Sequence, residues 1–384
     1  MSKTEDYSFY NRFYGIGRRT LSRIVSKKLC FSGDQIPQTE GPRFILCNHN
    51  TDYDFCLLAL VSAQPMDFVA TESIMRMGPV AKWAALKLKP ILHDKGSKGI
   101  VTLKAITKRL KQGRSVALFP EGNRSFDGRT GKISDSIGKI ATITGATIII
   151  YRLSGGYLTT PRWGKGIRKG KMQGNVVRML SYDDLLVMSD EEIQKTIEEG
   201  LYTDAYEEQA AVPIRYKNSR RAEFIETLLF ICPACGSIGT LSSRKNKCSC
   251  SCGYEMEMDE YGYLTDSNHE RVSITEKFDK QKELLQKKLL SENEGPMWQD
   301  EVTVTLLNPE HEISEKKKST LYAYRDSILV GEERLDISHI SSIDIVQRNR
   351  LSIHVQGWSQ HYEILGSKTF NAVKYLLWFE RSYS

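Results

Sequence analysis

A histidine and an aspartate five positions apart end the segment Cys47-Asn-His-Asn-Thr-Asp-Tyr-Asp54. The run before them, Arg43-Phe-Ile-Leu-Cys47, has the character of a buried strand. Polar residues at the exit of such a strand are where α/β proteins place reacting groups. On a strand-to-helix turn this spacing lets the two side chains meet. A carboxylate beside an imidazole fixes its tautomer and stabilises the imidazolium. His49 would then be a general base for a hydroxyl, with Asp54 as its orienter. The same residue types also suit a metal site or a well-satisfied turn, and the pair alone does not choose.

A second strand end adds information. Leu118-Phe-Pro-Glu-Gly-Asn-Arg-Ser125 follows the apolar stretch Ser115-Val-Ala-Leu118. Glu121, Gly122, Arg124 and Ser125 offer a turn with backbone donors and one guanidinium. Arginine grips phosphate through a planar fork, and glycine lets backbone approach closely. The plain alternative is a glycine turn with a surface arginine.

Together the two stretches resemble the glycerolipid acyltransferase family, whose members include 1-acyl-glycerol-3-phosphate and lysophospholipid acyltransferases. One family motif is Asn-His, four residues, then Asp, matched here by Asn48, His49 and Asp54. The other is Phe-Pro-Glu-Gly-x-Arg-Ser/Thr, matched by Phe119 to Ser125. The resemblance covers roughly residues 30–180. It implies that His49 deprotonates a glycerol hydroxyl, that Asp54 orients it, and that the hydroxyl attacks an acyl thioester of coenzyme A or acyl carrier protein. Glu121, Gly122 and Arg124 would hold the acceptor's phosphate, with no catalytic metal and no covalent enzyme intermediate. The family's middle motif usually carries a phosphate-binding arginine. Here Pro90-Ile-Leu-His-Asp-Lys-Gly-Ser-Lys98 offers Lys95, with His93 and Lys98 nearby. The last motif usually has a proline in an apolar strand, where this chain has Ile150 followed by Arg152. Lysophosphatidic acid is the favoured acceptor. Glycerol 3-phosphate and other lysolipids are the alternatives.

Five of the eight cysteines crowd into residues 232–252. Cys232-Pro-Ala-Cys235-Gly is a zinc knuckle in form. The second half offers Cys248, Cys250 and Cys252 without the two-residue gap of a standard knuckle. Cys250 and Cys252, followed by Gly253, complete the expected set, with Cys248 as the spare. Four thiolates make a closed structural zinc site, and the pattern resembles a zinc ribbon.

The elements that must carry these groups follow from periodicity. Between residues 43 and 180 apolar strands alternate with helices, including an amphipathic helix over 73–89 and one closed by Gly113, so an α/β domain is expected. Residues 6–30 suggest a basic, aromatic helix able to lie on an anionic bilayer or to pack on its own domain. Ser181 and Ser189 look like helix caps in an acidic stretch. The loop holding Arg162, Trp163, Lys165, Arg168, Lys169 and Lys171 could meet lipid headgroups or a carrier protein, or be a solvated hairpin. After a charged connector helix, short strands return from 301 and end in a helix. The expected fold is an α/β acyltransferase domain, a mixed sheet with flanking helices, then a small zinc ribbon and a small C-terminal β domain, pleckstrin-homology-like by analogy of pattern. The divisions expected are 1–30, 31–215, 228–265, 270–298 and 301–384.

The net charge of +7 suits an anionic partner without naming it. No apolar run reaches the roughly 20 residues of a membrane span, and no secretory signal is read, so a cytoplasmic protein, peripheral on the inner face of the cell membrane, is expected. The competing class is a non-catalytic nucleic-acid or protein-binding module built on the ribbon. The acidic Glu255-Met-Glu-Met-Asp-Glu260 stretch beside the cysteines argues against nucleic acid.

Overall fold

The structure, a computed structural model, describes residues 8–71, 86–93, 99–135, 137–290, 295–309 and 312–381. The chain divides into two compact units. One holds the chain up to Pro161 and Ile167–Tyr216; the other holds Arg162–Gly166 and Lys217 onward.

The first unit is built on a mixed seven-stranded sheet. Helices α1 (Ser8–Arg19) and α2 (Leu21–Leu29) lead into β1 (Phe31–Gly33) and β2 (Arg43–Cys47). Then come α3 (Asp54–Val61), β3 (Asp67–Thr71), β4 (Ile91–His93), α4 (Ile100–Lys111) and β5 (Val116–Leu118). The unit continues with α5 (Ile137–Thr144), β6 (Thr147–Ser154), the single turn α6 (Gly156–Thr159) and β7 (Met172–Leu180). It closes with α7 (Tyr182–Val187), α8 (Asp190–Leu201) and α9 (Ala205–Ala211). The strand order is β1-β7-β6-β2-β5-β3-β4. All neighbours are parallel except β6 and β7.

Every residue of β2 is buried, because the sheet is covered on both faces. Alternation along the strand sends Ile45 and Cys47 to one side, among residues of α1, α2 and α3. Phe44 and Leu46 go to the other side, among residues of α4, α5, α7 and α8. An apolar run without alternation is the sequence mark of such a doubly covered strand. Capping boxes at Ser181 and Ser189 start α7 and α8, each serine accepting from the backbone three residues on.

Several expectations change in detail. The basic N-terminal segment is two helices that break at Thr20, not one. Tyr10, Tyr14, Val25 and Leu29 pack into the core, while Ile16, Leu21 and Ile24 are exposed. Most of the expected 73–89 helix lies outside the described residues. The acidic stretch is three short helices. The strands β1 and β7 pair in parallel at the sheet edge, a pairing between residues about 140 apart that no local pattern announces.

The second unit contains two antiparallel sheets. Strands β8 (Leu241–Arg244), β9 (Lys247–Cys250), β10 (Glu255–Met258), β11 (Leu264–Asp266) and β12 (Arg271–Val272) follow one another in space as in sequence. Helix α10 (Ile274–Leu290) is more than a solvated connector. It buries Ile274, Phe278, Gln281, Leu285 and Leu289. The Gln281 side chain accepts from the Phe230 and Ile231 N–H groups and donates to the Leu228 carbonyl. The last sheet has seven strands, β13 (Trp298–Leu307), β14 (Ile313–Ala323), β15 (Ser327–Val330), β16 (Glu333–Asp336), β17 (Ile340–Val346), β18 (Arg350–Val355) and β19 (His361–Gly366). Its order is β16-β15-β14-β13-β19-β18-β17, and α11 (Val373–Glu380) follows. Among the described residues, no helix is long and apolar enough to cross a membrane.

Candidate active site and cysteine cluster

Parallel neighbours deliver their C-terminal ends to one edge of a sheet. Here β5, β2 and β6 are neighbours, with Leu46 opposite both Leu118 and Ile150. The segments after them, 48–53, 119–125 and 155–160, therefore emerge together. Asn48 extends the sheet by side chain: its amide donates to the Leu153 carbonyl at 2.8 Å and its oxygen accepts from the Leu153 N–H at 2.7 Å. The Ser125 N–H donates to the His49 carbonyl at 3.0 Å, tying the first two loops.

Asp54 is the first residue of α3 and its side chain is fully buried. One oxygen, Oδ2, accepts from the backbone N–H groups of Asn50 at 2.7 Å and Thr51 at 2.8 Å, and lies 2.9 Å from His49 Nδ1. The other, Oδ1, accepts from the Thr51 hydroxyl at 2.5 Å. An acceptor-only carboxylate fixes the proton on Nδ1. That leaves Nε2 with its lone pair, the form a general base requires. The imidazole stacks on Phe119, ring centroids 4.5 Å apart, and is 24% exposed. One face of the ring is thus held while the group still reaches solvent.

Glu121 does not face outward as a phosphate ligand would. Its Oε1 accepts from the His49 N–H and its Oε2 from the Gly131 N–H, both at 2.7 Å. Burial pushes its carboxyl up to about 8, against those two hydrogen bonds. Gly122 has φ +67°, the left-handed region that glycine enters without strain, at the end of a turn closed by its N–H on the Phe119 carbonyl. Arg124 is 11% exposed. Its Nε donates to the Asn50 carbonyl at 3.2 Å, its Nη2 to the Thr160 carbonyl, and its Nη1 lies 2.8 Å from Asp52 Oδ2.

The structure therefore brings His49, Asp54, Glu121, Gly122 and Arg124 to one edge of the sheet. Lys95 and Lys98 lie outside the described residues, and the His93 ring is within 2.9 Å of the Thr102 hydroxyl. Sequence reasoning missed Thr51, Phe119, Asp52 and the Thr160 carbonyl. Only Phe119 had a signal, being part of the second motif. The basic loop is partly turned inward. Arg168 and Trp163 are buried. Arg162 donates to the Ile345 and Gln347 carbonyls, and Lys165 pairs with Glu223 at 2.8 Å. Lys169 and Lys171 stay exposed.

The sulfur atoms of Cys232, Cys235, Cys250 and Cys252 all lie within 4.8 Å of one another. The pairs Cys232–Cys252 and Cys235–Cys250 are each 3.8 Å apart. A tetrahedron with Zn–S bonds of about 2.3 Å has edges of roughly 3.8 Å, so this donor set fits that ion. Each half is a tight turn ending in a glycine of positive φ, Gly236 (+68°) and Gly253 (+94°). The Gly236 N–H donates to the Cys232 carbonyl and the Gly253 N–H to the Cys250 carbonyl. The second turn thus dispenses with the two-residue gap. Cys248 is buried in β9, outside the cluster.

Comparison with known proteins bears on the first unit. Residues 28–152 match the family model described as Acyltransferase. The chloroplastic 1-acyl-sn-glycerol-3-phosphate acyltransferase LPAT1 of Arabidopsis thaliana is 28% identical over 137 residues, 35% of this chain and 38% of the relative. Its counterpart BAT2 of Brassica napus is 30% identical over 137 residues, 35% of this chain and 39% of the relative. The match thus spans under two-fifths of either relative's length. The crystal structure of the 1-acyl-sn-glycerophosphate acyltransferase PlsC from Thermotoga maritima aligns with a TM-score of 0.43 at 20% identity, over 53% of this chain and 81% of that one.

Proposed function

We propose that this protein transfers a fatty acyl group from a thioester to the free hydroxyl of a phosphorylated glycerol lipid, with lysophosphatidic acid as the favoured acceptor, a reading supported by the match of residues 28–152 to the Acyltransferase family model. The observation that carries the reading is the His49–Asp54 pair, 2.9 Å apart, with Asp54 saturated and Nε2 unclaimed by it.

In this reading His49 Nε2 takes the proton of the acceptor hydroxyl as its oxygen attacks the thioester carbonyl carbon. The tetrahedral intermediate collapses, the C–S bond breaks, and the imidazolium returns its proton to the departing sulfur. Asp54 stabilises the imidazolium through Nδ1. Arg124 holds the acceptor's phosphate from the neighbouring loop. Glu121 positions His49 by gripping its backbone N–H, a different part from the phosphate contact that the family motif implies. Coenzyme A and acyl carrier protein are both admissible donors.

Three further assignments complete the proposal. Cys232, Cys235, Cys250 and Cys252 hold a structural zinc in a ribbon-like segment. The exposed Ile16, Leu21 and Ile24, with Arg12, Arg19, Arg23, Lys27 and Lys28 exposed around them, support peripheral contact with an anionic membrane face. The seven-strand sheet with its closing helix supports a pleckstrin-homology-like reading of the C-terminal part.

The experiment is acyl transfer from acyl-coenzyme A and acyl carrier protein to lysophosphatidic acid and glycerol 3-phosphate, wild type beside His49→Ala. Transfer that disappears in the variant supports the reading, and the acceptor used best names the substrate. Transfer to glycerol 3-phosphate alone moves the assignment to the alternative acceptor. No transfer from any pair by folded, zinc-loaded protein in the presence of lipid supports the binding-module alternative instead.

A further inference from the structure

Resting on the reading that Arg124 holds the acceptor's phosphate, we propose that Asp52 is a built-in competitor for that position and sets how tightly phosphorylated acceptors bind. Two carbonyls fix the guanidinium. Nε donates to Asn50 and Nη2 to Thr160, so backbone from two strand-end loops determines the plane of the fork. The remaining nitrogen, Nη1, meets Asp52 Oδ2 at 2.8 Å.

The two partners are unequal. The Arg124 side chain is 11% exposed and the Asp52 side chain 72%. The cation is shielded and anchored, whereas its counter-ion sits in solvent on the turn between His49 and Asp54. An arriving phosphate finds Nη1 already serving a carboxylate. Nη1 carries two N–H groups, so the phosphate either shares it with the carboxylate or displaces it, and the exposed aspartate is the one free to rotate into water. Displacing it forfeits an ion pair of the exposed kind, which corresponds to at most about a fivefold change in affinity. Asp52 then remains beside the bound phosphate as a like charge. Both effects weaken binding of a phosphate monoester and leave a neutral acceptor untouched. Asp54, two residues on, cannot play this part. It is fully buried and its oxygens already accept four contacts.

The test measures KM for lysophosphatidic acid, and Ki for inorganic phosphate and for a monoacylglycerol as competitors, in the full zinc-loaded chain. Wild type, Asp52→Asn, Asp52→Ser, Arg124→Gln and the Asp52→Asn/Arg124→Gln double variant are compared, each with its melting temperature. Asp52→Asn should lower KM for lysophosphatidic acid and Ki for phosphate by about threefold to fivefold. It should leave the monoacylglycerol Ki alone and have a smaller effect once Arg124 is gone, when only the like-charge repulsion is left to relieve. If Asp52→Asn does not melt like wild type, Asp52→Ser supplies the reading. Arg124→Gln raising KM while neither Asp52 variant lowers it would leave the phosphate reading standing and overturn the competitor. Equal gains for neutral and charged molecules overturn it too. An Arg124→Gln protein with wild-type KM and Ki values would sink the phosphate reading itself, and the competitor with it.

Discussion

The His49 turn and the four-cysteine cluster are built by one device and differ in what they leave open. In both, short turns converge polar atoms on a point, the cysteine turns each ending in a glycine of positive φ and the His49 turn closing on the Asp54 carboxylate at the start of α3. In the cluster every donor faces the other three, within 4.8 Å. A tetrahedral ion there has no position left for a substrate. At the His49 turn the saturation stops one atom short. Asp54 accepts from two backbone N–H groups, one hydroxyl and one ring nitrogen, and the His49 side chain is 24% exposed. A closed shell holds a fold together. A shell that stops at one reactive atom positions that atom for chemistry.

Removing the proposed zinc should produce the largest effect. A structural zinc contributes on the order of 10 kcal/mol to the fold it closes. Chelation, or Cys232→Ser, should therefore melt the sheet β8–β12, seen as lost near-ultraviolet circular dichroism together with loss of one equivalent of zinc. A protein that contains no zinc as isolated and melts identically with chelator would break the comparison at its closed end.

Asp54→Asn sharpens the open end. An amide in place of the carboxylate sets N–H groups against the Asn50 and Thr51 donors or gives His49 the wrong tautomer. The rate should fall by roughly 10²–10⁴ and stability by about 1–3 kcal/mol. Both would be read from the same preparation by kinetics and urea unfolding. A variant that loses rate alone would mean that Asp54 orients His49 without supporting the turn.

Glu121 lies between the two extremes. Its folded value of about 8 exceeds the ordinary 4.5, so the folded state holds this proton more tightly than the unfolded one. The stabilisation linked to it is complete below about pH 4.5 and lost as pH rises through about 8. Urea midpoints at pH 5, 7 and 9 should therefore fall across the series, and Glu121→Gln should flatten that slope. An unchanged slope in the variant would place the titration elsewhere. The smallest effect belongs to a helix cap. Ser189→Ala removes a capping box from α8 and should cost about 1 kcal/mol without altering turnover.

How much of this was legible depended on whether the signal was local. The doubly buried strand Arg43–Cys47 and the capping serines announce themselves in a few consecutive residues, and the structure has a strand and two capped helices there. The spacing of His49 and Asp54 implied that their side chains meet, and they do; their role is a matter for the experiments. The sheet order was not legible. The pairing of β1 with β7 joins a three-residue edge strand to a glycine-bearing neighbour, with no periodicity in either. Glu121 was legible as a residue of interest, but its partners are backbone N–H groups of His49 and Gly131, which no side-chain pattern encodes. Arg124 is held by carbonyls for the same reason. Between Cys250 and Cys252 the irregular spacing left Cys248 as a competitor, and only the convergence of the sulfur atoms separates them.

The most direct measurement is a double-mutant cycle on acyl transfer: kcat/KM for wild type, His49→Ala, Asp54→Asn and the double variant, with the acceptor that the wild type uses best. If Asp54 acts on the chemistry through His49 Nδ1, the double variant should be about as slow as His49→Ala alone. Two losses that multiply, or a His49→Ala protein that keeps the wild-type rate, would contradict the account.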